Sequence, residues 1–92
     1  MSVNAPTREI TVRYFAWLRE KTGISEERVT VPESIATVAD LVELLRARGP
    51  EFDAAFAHAS AIRAAIDHAH AKPHASIAQA REVAFFPPVT GG

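Results

Sequence analysis

The sequence contains no cysteine, which excludes disulfides, thiolate metal sites and thiol nucleophiles. Lys and Arg total 10 against 11 Asp and Glu, and they are not clustered as nucleic-acid binding requires. No apolar run approaches the roughly 20 residues of a membrane-spanning helix. The first residues, MSVNAPTRE, also lack the basic start and apolar stretch of a signal peptide. We therefore expect a cytoplasmic protein that has neither nucleic acid nor membrane as a partner.

The length of 92 residues suits one domain with a modest core. We expect a disordered N-terminus over residues 1–7, a folded domain over residues 8–86 and a flexible, extended tail over residues 87–92. No linker long enough to divide the chain is present, and no internal repeat is found.

Hydrophobic periodicity predicts the elements of the domain. Alternation predicts strands, and apolar residues at helical spacing predict the main helix, which Thr37 can cap. Gly49 is expected to follow the end of this helix, and Pro50 to prevent its continuation. The predicted strands are 8–15, 27–31, 62–67 and 82–86; the helices are a short turn at 16–21, the main helix at 37–48 and a weaker one at 51–59. Residues 68–80 are expected to hold one short strand.

This order predicts an α+β fold, a small mixed sheet with one main helix packed on one face. The strand at 82–86, EVAFF, is apolar on both faces, so it should be central. If the first strand pairs beside it, Phe15 and Phe86 emerge together on the face away from the helix. Two aromatic side chains on an open sheet surface indicate a binding partner.

The final stretch, FFPPVTGG, suits a tail that enters a narrow channel. Pro87 and Pro88 favour an extended start, and the β-branched residues Val89 and Thr90 favour continued extension. The Gly-Gly end has no side chains, so it can pass where other residues cannot. The alternative is an ordinary frayed terminus, and the tail alone leaves both open.

The string EVAFFPPVTGG resembles the C-terminus of the small subunit of molybdopterin synthase, the MoaD family of ubiquitin-like sulfur carriers. The stretch VRYFAWLRE, residues 12–20, resembles the family's first strand and the turn that follows it. The main helix also occupies the family's position, so the resemblance extends over residues 8–92. It implies a β-grasp, ubiquitin-like fold.

The resemblance also implies a mechanism without a catalytic residue in this chain. A separate activating enzyme would use ATP to adenylate the carboxylate of Gly92, and a sulfur donor would convert it to a thiocarboxylate. The tail would then enter the large synthase subunit, which holds the active site, and donate sulfur to precursor Z (cyclic pyranopterin monophosphate) in molybdenum cofactor biosynthesis. The implied assembly is a heterotetramer, and no bound cofactor or metal is expected.

The resemblance assigns roles to individual residues. Gly92 carries the sulfur, and the segment that inserts comprises Pro87, Pro88, Val89, Thr90 and Gly91. Phe15 and Phe86 match the hydrophobic partner-binding face, and Arg19 matches a turn arginine that contacts the activating enzyme. His70 falls where an apolar interface residue is usual.

Two further departures from the family lie near the final strand. Asp67 replaces an Asn that follows the middle strand. The turn before Glu82 reads Gln79-Ala80-Arg81 where the family has Asp-Gly-Asp, and Ala80 would be strained there if the turn needs a positive φ.

Other candidate residues favour structural interpretations. His68, His70 and His74 are the only metal-like cluster, but they lack a carboxylate shell and suit a polar loop. Phe52 and Phe56 are expected in the core, with Trp17 covering its edge. Glu26 and Glu27 are expected to form a solvated hairpin end.

Alternative functions remain open. A ubiquitin-like modifier, joined through Gly92 to lysines of other proteins, needs the same adenylation. A carrier for another sulfur pathway, such as thiazole synthesis, is less favoured because those carriers are shorter and lack FFPPVTGG. A plain interaction module would not need Gly91 and Gly92 at all.

Overall fold

The computed structural model describes residues 7–88, which form a five-stranded sheet with helices packed on one face. The strands are β1 (Thr7–Tyr14), β2 (Glu26–Pro32), β3 (Arg63–Ile66), β4 (Ala69–Ala71) and β5 (Glu82–Phe86). The helices are α1 (Trp17–Thr22), α2 (Val38–Arg46) and α3 (Pro50–Ala55), followed by a 3₁₀ turn at Ala59–Ala61. β1 begins one residue before the predicted domain boundary, and residues 1–6 lie outside the described part of the chain.

The strand order is β2-β1-β5-β3-β4. β5 is central, as its apolar residues on both faces predict, and it pairs in parallel with β1 and antiparallel with β3. The outer pairs, β1 with β2 and β3 with β4, are antiparallel. The sheet is therefore mixed. Because β1 and β5 are parallel, their C-terminal ends lie side by side, and the tail departs from that end of the sheet.

Helix α2 forms where its capping signals predict. The Thr37 hydroxyl accepts a hydrogen bond from the Asp40 N–H, and the Asp40 carboxylate accepts one from the Thr37 N–H, which completes a capping box. Val38, Leu41 and Leu45 are buried on one side of the helix. The predicted stripe therefore packs on the sheet.

The end of this helix differs from the prediction. Its C-cap is Ala47, while Gly49 precedes α3 as the N-cap and Pro50 occupies its first turn. Proline is well suited to that position because its missing N–H would have no partner there. Gly49 and Pro50 thus start a helix, and this helix ends at Ala55, earlier than the predicted 59.

An aromatic cluster fills the core between the helices and the sheet. Tyr14, Phe56 and Phe85 are almost fully buried, and the rings of Phe56 and Phe85 meet edge to face at 5.1 Å. Phe52 is half-buried against this cluster. The Trp17 indole N–H donates to the carbonyl of Ala55 at 3.4 Å and covers the core edge. The predicted positions of these aromatic residues are confirmed.

Candidate partner-binding face

The two predicted aromatic contacts lie side by side on the open face of the sheet. Tyr14 pairs with Phe85 across β1 and β5, and both side chains point into the core. Because successive residues of a strand point to opposite faces, Phe15 and Phe86 emerge on the other side. Phe15 is 39% exposed, the one large hydrophobic residue at that level among residues 7–88. The predicted placement of Phe15 and Phe86 on the face away from the helices is confirmed, and their contact with a partner stays a prediction.

Basic and small side chains surround this aromatic pair. The Arg13 guanidinium lies 5.2 Å from the centre of the Phe15 ring, which suits a cation–π contact. The His70 ring meets Phe86 edge to face at 5.5 Å. We call Arg13, Phe15, His70 and Phe86 the partner-binding face, after the role that is predicted from the sequence for Phe15, His70 and Phe86.

The interior of this face is shallow. Ala84 pairs with Arg13 on one side and with Ala65 on the other, and Ala65 pairs with His70. Ala65 and Ala84 are each only 8% exposed, because the larger side chains around them limit access. A partner surface that fills this depression would contact Phe15 and Phe86 at its border.

A hydrogen-bonded network beneath the face holds Tyr14, the neighbour of Phe15. The Tyr14 hydroxyl donates to the Glu27 carboxylate at 2.7 Å, and the Arg48 guanidinium donates two bonds to the same carboxylate at 2.7 and 2.9 Å. The Arg48 group also lies 4.6 Å from the centre of the Phe52 ring. Glu27 is therefore a half-buried acceptor that ties the β1–β2 hairpin to the helices, and its predicted place on a solvated hairpin end is wrong.

The network shifts the pKa values of its members. Burial opposes ionisation of Glu27, but the hydrogen bonds from Arg48 and Tyr14 outweigh it and hold the pKa of Glu27 below its usual range. Burial and the adjacent Glu27 carboxylate raise the pKa of Tyr14. The same carboxylate raises the pKa of Arg48. Glu27 thus stays charged and Tyr14 stays a donor near neutral pH.

A strained turn directs the chain away from Phe15 into α1. Ala16 has φ 54° and ψ −127°, and the Leu18 N–H donates to the Phe15 carbonyl at 3.1 Å. These values are those of the first central position of a type II′ turn, where glycine is preferred. The turn leads into α1, on which Leu18 is buried and Arg19 is exposed, and the helix ends at Gly23 in the left-handed conformation.

We expect Ala16→Gly to stabilise the protein. Relief of about 1–3 kcal/mol of backbone strain should exceed the roughly 0.4–1 kcal/mol that glycine costs through the unfolded chain. Urea unfolding should show a gain of about 0.5–2 kcal/mol. The matched control is Ala39→Gly in the exposed part of α2, which should lose about 1 kcal/mol; equal losses in both variants would contradict the strain at Ala16.

Asp67 organises the loop that precedes β5. Asp67 and His68 form the tight β3–β4 turn with φ values of 48° and 73°, as a type I′ turn requires. The Asp67 carboxylate accepts hydrogen bonds from the N–H groups of Arg81 and Glu82 at 3.0 and 2.9 Å. Asp67 and His68 have positive φ values, whereas Ala80 does not, so the strain expected at Ala80 is absent. Ala80 is instead buried in the core.

This geometry explains how Asp67 can replace the Asn that the resemblance to the sulfur carriers implies at this position. Either side chain tolerates the left-handed conformation and offers an oxygen to both N–H groups. Asp67→Asn should change the unfolding free energy by less than about 0.5 kcal/mol. Asp67→Ala should lose about 1–3 kcal/mol because it leaves the two donors without this acceptor. Thermal unfolding of the pair tests this, and an equal loss in both would contradict the carboxylate's role.

The three histidines do not share one strand. His68 lies in the turn, with its Nδ1 4.0 Å from a Glu82 carboxylate oxygen, while His70 lies on β4 and His74 follows that strand. Within residues 7–88, no group of three or more His, Cys, Asp or Glu side chains is arranged to hold a metal ion. His70 instead belongs to the partner-binding face.

The start of the tail continues directly from the face. Pro87 and Pro88 follow Phe86 and are half-buried. Gly92, which is predicted to carry the sulfur, lies outside the described residues, as do Val89, Thr90 and Gly91 of the predicted inserting segment. Within those residues, no helix combines the length and apolar character needed to cross a membrane.

A mixed five-stranded sheet of this order, with its helices on one face, is the β-grasp fold of ubiquitin-like proteins. The model of the ThiS family matches residues 12–92. The chain therefore belongs to the ThiS family of ThiS/MoaD-like proteins, which include sulfur carriers and modifiers. Proteins of this family generally act with an activating enzyme and a catalytic partner.

Solved structures with this fold carry names from both functional groups. SAMP1 from Haloferax volcanii, small archaeal modifier protein 1, is 28% identical with a TM-score of 0.69, over 92% of this chain and 100% of that chain. A putative molybdopterin converting factor subunit 1 from Pyrococcus furiosus is 26% identical with a TM-score of 0.70, over 88% of this chain and 98% of that one. No curated protein matches the chain.

Proposed function

We propose that this protein is the sulfur carrier subunit of molybdopterin synthase. The observation that carries the proposal is the direct passage from the aromatic pair Phe15 and Phe86 into the tail that ends in Gly-Gly. A partner that covers this face receives the tail at the same time. The match to the ThiS family and the similarity to a molybdopterin converting factor subunit support this function.

The proposed chemistry takes place at the carboxylate of Gly92. Its oxygen attacks the α-phosphorus of ATP on a separate activating enzyme, and pyrophosphate leaves. A hydrosulfide equivalent from the sulfur donor then attacks the acyl carbon, AMP leaves, and a thiocarboxylate remains. ATP is thus a substrate of the activating enzyme, and this chain binds no cofactor.

The second stage takes place in the large synthase subunit, which supplies the catalytic side chains. The thiocarboxylate sulfur bonds to a carbon of precursor Z as an oxygen substituent of that carbon leaves as water. A further water then cleaves the acyl–sulfur bond, which leaves the sulfur on the product and restores the carboxylate. Pro87 and Pro88 stiffen the start of the tail, and Gly91 needs no room for a side chain. The carrier and the large subunit form a heterotetramer in the cytoplasm.

Arg19 has a separate role in this proposal. It is exposed on α1, directly after the turn that follows Phe15, and it contacts the activating enzyme. The activating enzyme and the large subunit thus use neighbouring parts of one end of the molecule. They bind the carrier in turn.

A modifier function is the second candidate, favoured by the similarity to small archaeal modifier protein 1. In that case the Gly92 acyl group ends on lysine side chains. Digested cellular protein would then contain lysines bearing a Gly-Gly remnant, which a dedicated carrier does not leave.

A single-turnover transfer experiment tests the proposed carrier role. Protein loaded as the thiocarboxylate is mixed with the large subunit and precursor Z, and molybdopterin is measured. We expect sulfur to appear in the product with matching loss of thiocarboxylate, and no product from a variant lacking Gly92. Conjugation to lysine without sulfur transfer would overturn the proposal in favour of the modifier.

A further inference from the structure

A basic cavity lies at the β4 edge of the sheet. It has a volume of about 420 Å³ between β3, β4 and the 3₁₀ turn. Its polar lining comprises Ser60, Arg63, His70 and Lys72, and Ile62 and Pro73 contribute apolar walls. The cavity thus combines two permanent cations with a hydroxyl and an imidazole, all able to donate hydrogen bonds.

Among residues 7–88, the cations of this cavity have no carboxylate partner, as is also true of Arg8, Arg19, Lys21 and Arg81 outside it. Four arginines form ion pairs with Asp or Glu: Arg13, Arg28, Arg46 and Arg48. Arg63 instead makes one long bond, 3.4 Å, to the carbonyl of Ser60. Within residues 7–88, no carboxylate pairs with Arg63 or Lys72, and none lines the cavity.

The cavity is continuous with the partner-binding face. His70 belongs to both, because its ring contacts Phe86 and also lines the cavity. Arg63 pairs directly with Phe86 across β3 and β5. A group held in the cavity therefore lies beside the residue from which the tail departs.

The remainder of the open sheet face has a different charge pattern. Glu9 and Arg28 pair at its far end, and Glu26 pairs with Arg13. These acidic groups interrupt any basic track along the sheet, and the chain carries a formal net charge of −1. The phosphate backbone of a nucleic acid would cross both acidic and basic groups on this face, whereas a single anionic group would contact only the basic cavity.

We propose that this cavity binds a side-chain carboxylate of the protein that covers the partner-binding face. The Arg63 guanidinium has the planar geometry that binds a carboxylate through two parallel hydrogen bonds, and Lys72 and His70 add donors beside it. The inference rests on the proposed function, because that function supplies the covering protein. It adds that the partner surface has an apolar centre for Phe15 and Phe86 and an acidic residue at one side.

This arrangement would fix the orientation of the partner. The aromatic pair alone offers an apolar contact with little directional preference, whereas a charged pair at one end permits one alignment. Since Arg63 is opposite Phe86, the aligned partner places its channel over the tail. The cavity is thus a specificity feature, and it does not take part in the sulfur chemistry.

The test uses free glutarate as the probe and two-dimensional ¹⁵N–¹H spectra of the whole chain. At constant ionic strength, glutarate should cause saturable shifts in the amides of residues 60–63 and 70–73. Arg63→Gln with Lys72→Gln should weaken this binding at least tenfold. The matched control, Lys21→Gln with Arg28→Gln, removes two exposed cations elsewhere and should leave the affinity unchanged.

Three results would overturn the proposal: shifts that do not saturate, equal weakening in both double variants, or saturable binding of inorganic phosphate without binding of glutarate. The variant with Arg63→Gln and Lys72→Gln should still be adenylated by the activating enzyme and converted to the thiocarboxylate by the sulfur donor, measured by intact mass. Failure of wild-type loading would count against the proposed function, while the glutarate result stands by itself. The two ideas are therefore tested separately.

Discussion

Replacing Phe15 by alanine is expected to weaken binding of the proposed partner, the large subunit of molybdopterin synthase, by at least about 30-fold, the effect of losing roughly 2 kcal/mol at an interface hot spot. Phe15 is 39% exposed before binding and borders a shallow apolar depression. A partner that covers Phe15 removes the phenyl ring from water, and this burial is the source of the ring's contribution to the binding free energy. Because the ring lies outside the core cluster and loses mainly its contact with Arg13, the unfolding free energy should fall by only about 1 kcal/mol.

Calorimetric titration measures the affinity, and urea unfolding measures the stability. Thr30→Ala is the matched control, since Thr30 is exposed on the same sheet face but at the far end of β2. It should bind normally. If the Phe15 and Thr30 variants bound the partner equally well, the aromatic pair would not be the contact surface.

Replacing Glu27 by glutamine should cost about 1.5–3 kcal/mol of stability at pH 7, the range for hydrogen bonds to charged groups. Glutamine retains the size but loses the charge that accepts from Tyr14 and binds Arg48 through both oxygens. Glu26→Gln is the control. Glu26 forms an exposed ion pair, in which its Oε1 lies 3.5 Å from Nε of Arg13. Its replacement by glutamine should therefore cost less than about 1 kcal/mol of stability.

The Glu27 effect should depend on pH in one direction. Its pKa is lowered in the folded protein, so the stabilisation is fully present above the unfolded-state pKa of about 4.3. It is lost as the pH falls through the lower folded-state value, where wild-type Glu27 also becomes neutral. Denaturation of both proteins from pH 7 to pH 3 should therefore show converging stabilities, and a constant difference would contradict the charged network.

The main elements could be predicted because their signals are local. The apolar residues of β5 on both faces indicated a central strand, and Thr37 with Asp40 marked the start of α2. The placement of Phe15 and Phe86 followed from strand alternation once β1 was set beside β5. These predictions needed only neighbouring residues and the pairing of two strands.

The errors concern residues whose partners are distant in sequence. Glu27 follows the inward alternation of Val29 and Val31, yet nothing near it indicates that Tyr14 and Arg48 will meet it. Asp67 bonds to N–H groups 14 and 15 residues away, so the loop before β5 depended on a contact that local patterns do not reveal. Gly49 and Pro50 suit both a helix end and a helix start, and the packing of Phe52 and Phe56 decides between them.

The strain at Ala16 was also invisible in the sequence. Alanine gives no sign of positive φ, and the helical turn predicted over residues 16–21 gave Ala16 an ordinary helical conformation, whereas its φ is 54° and the helix begins at Trp17. The conformation is required because Phe15 must stay on the open face while Leu18, three residues later, is fully buried. The contacts on both sides of the turn thus hold Ala16 in a conformation that it would not adopt alone.

The central claim is that the carboxylate of Gly92 carries sulfur, and intact mass tests it most directly. The protein is incubated with its activating enzyme, ATP and a sulfide source, beside a variant that lacks Gly92. We predict that the wild-type mass increases by the difference between one sulfur and one oxygen atom, while the variant is unchanged. An unchanged wild-type mass, with the activating enzyme shown to form the acyl-adenylate, would contradict the claim.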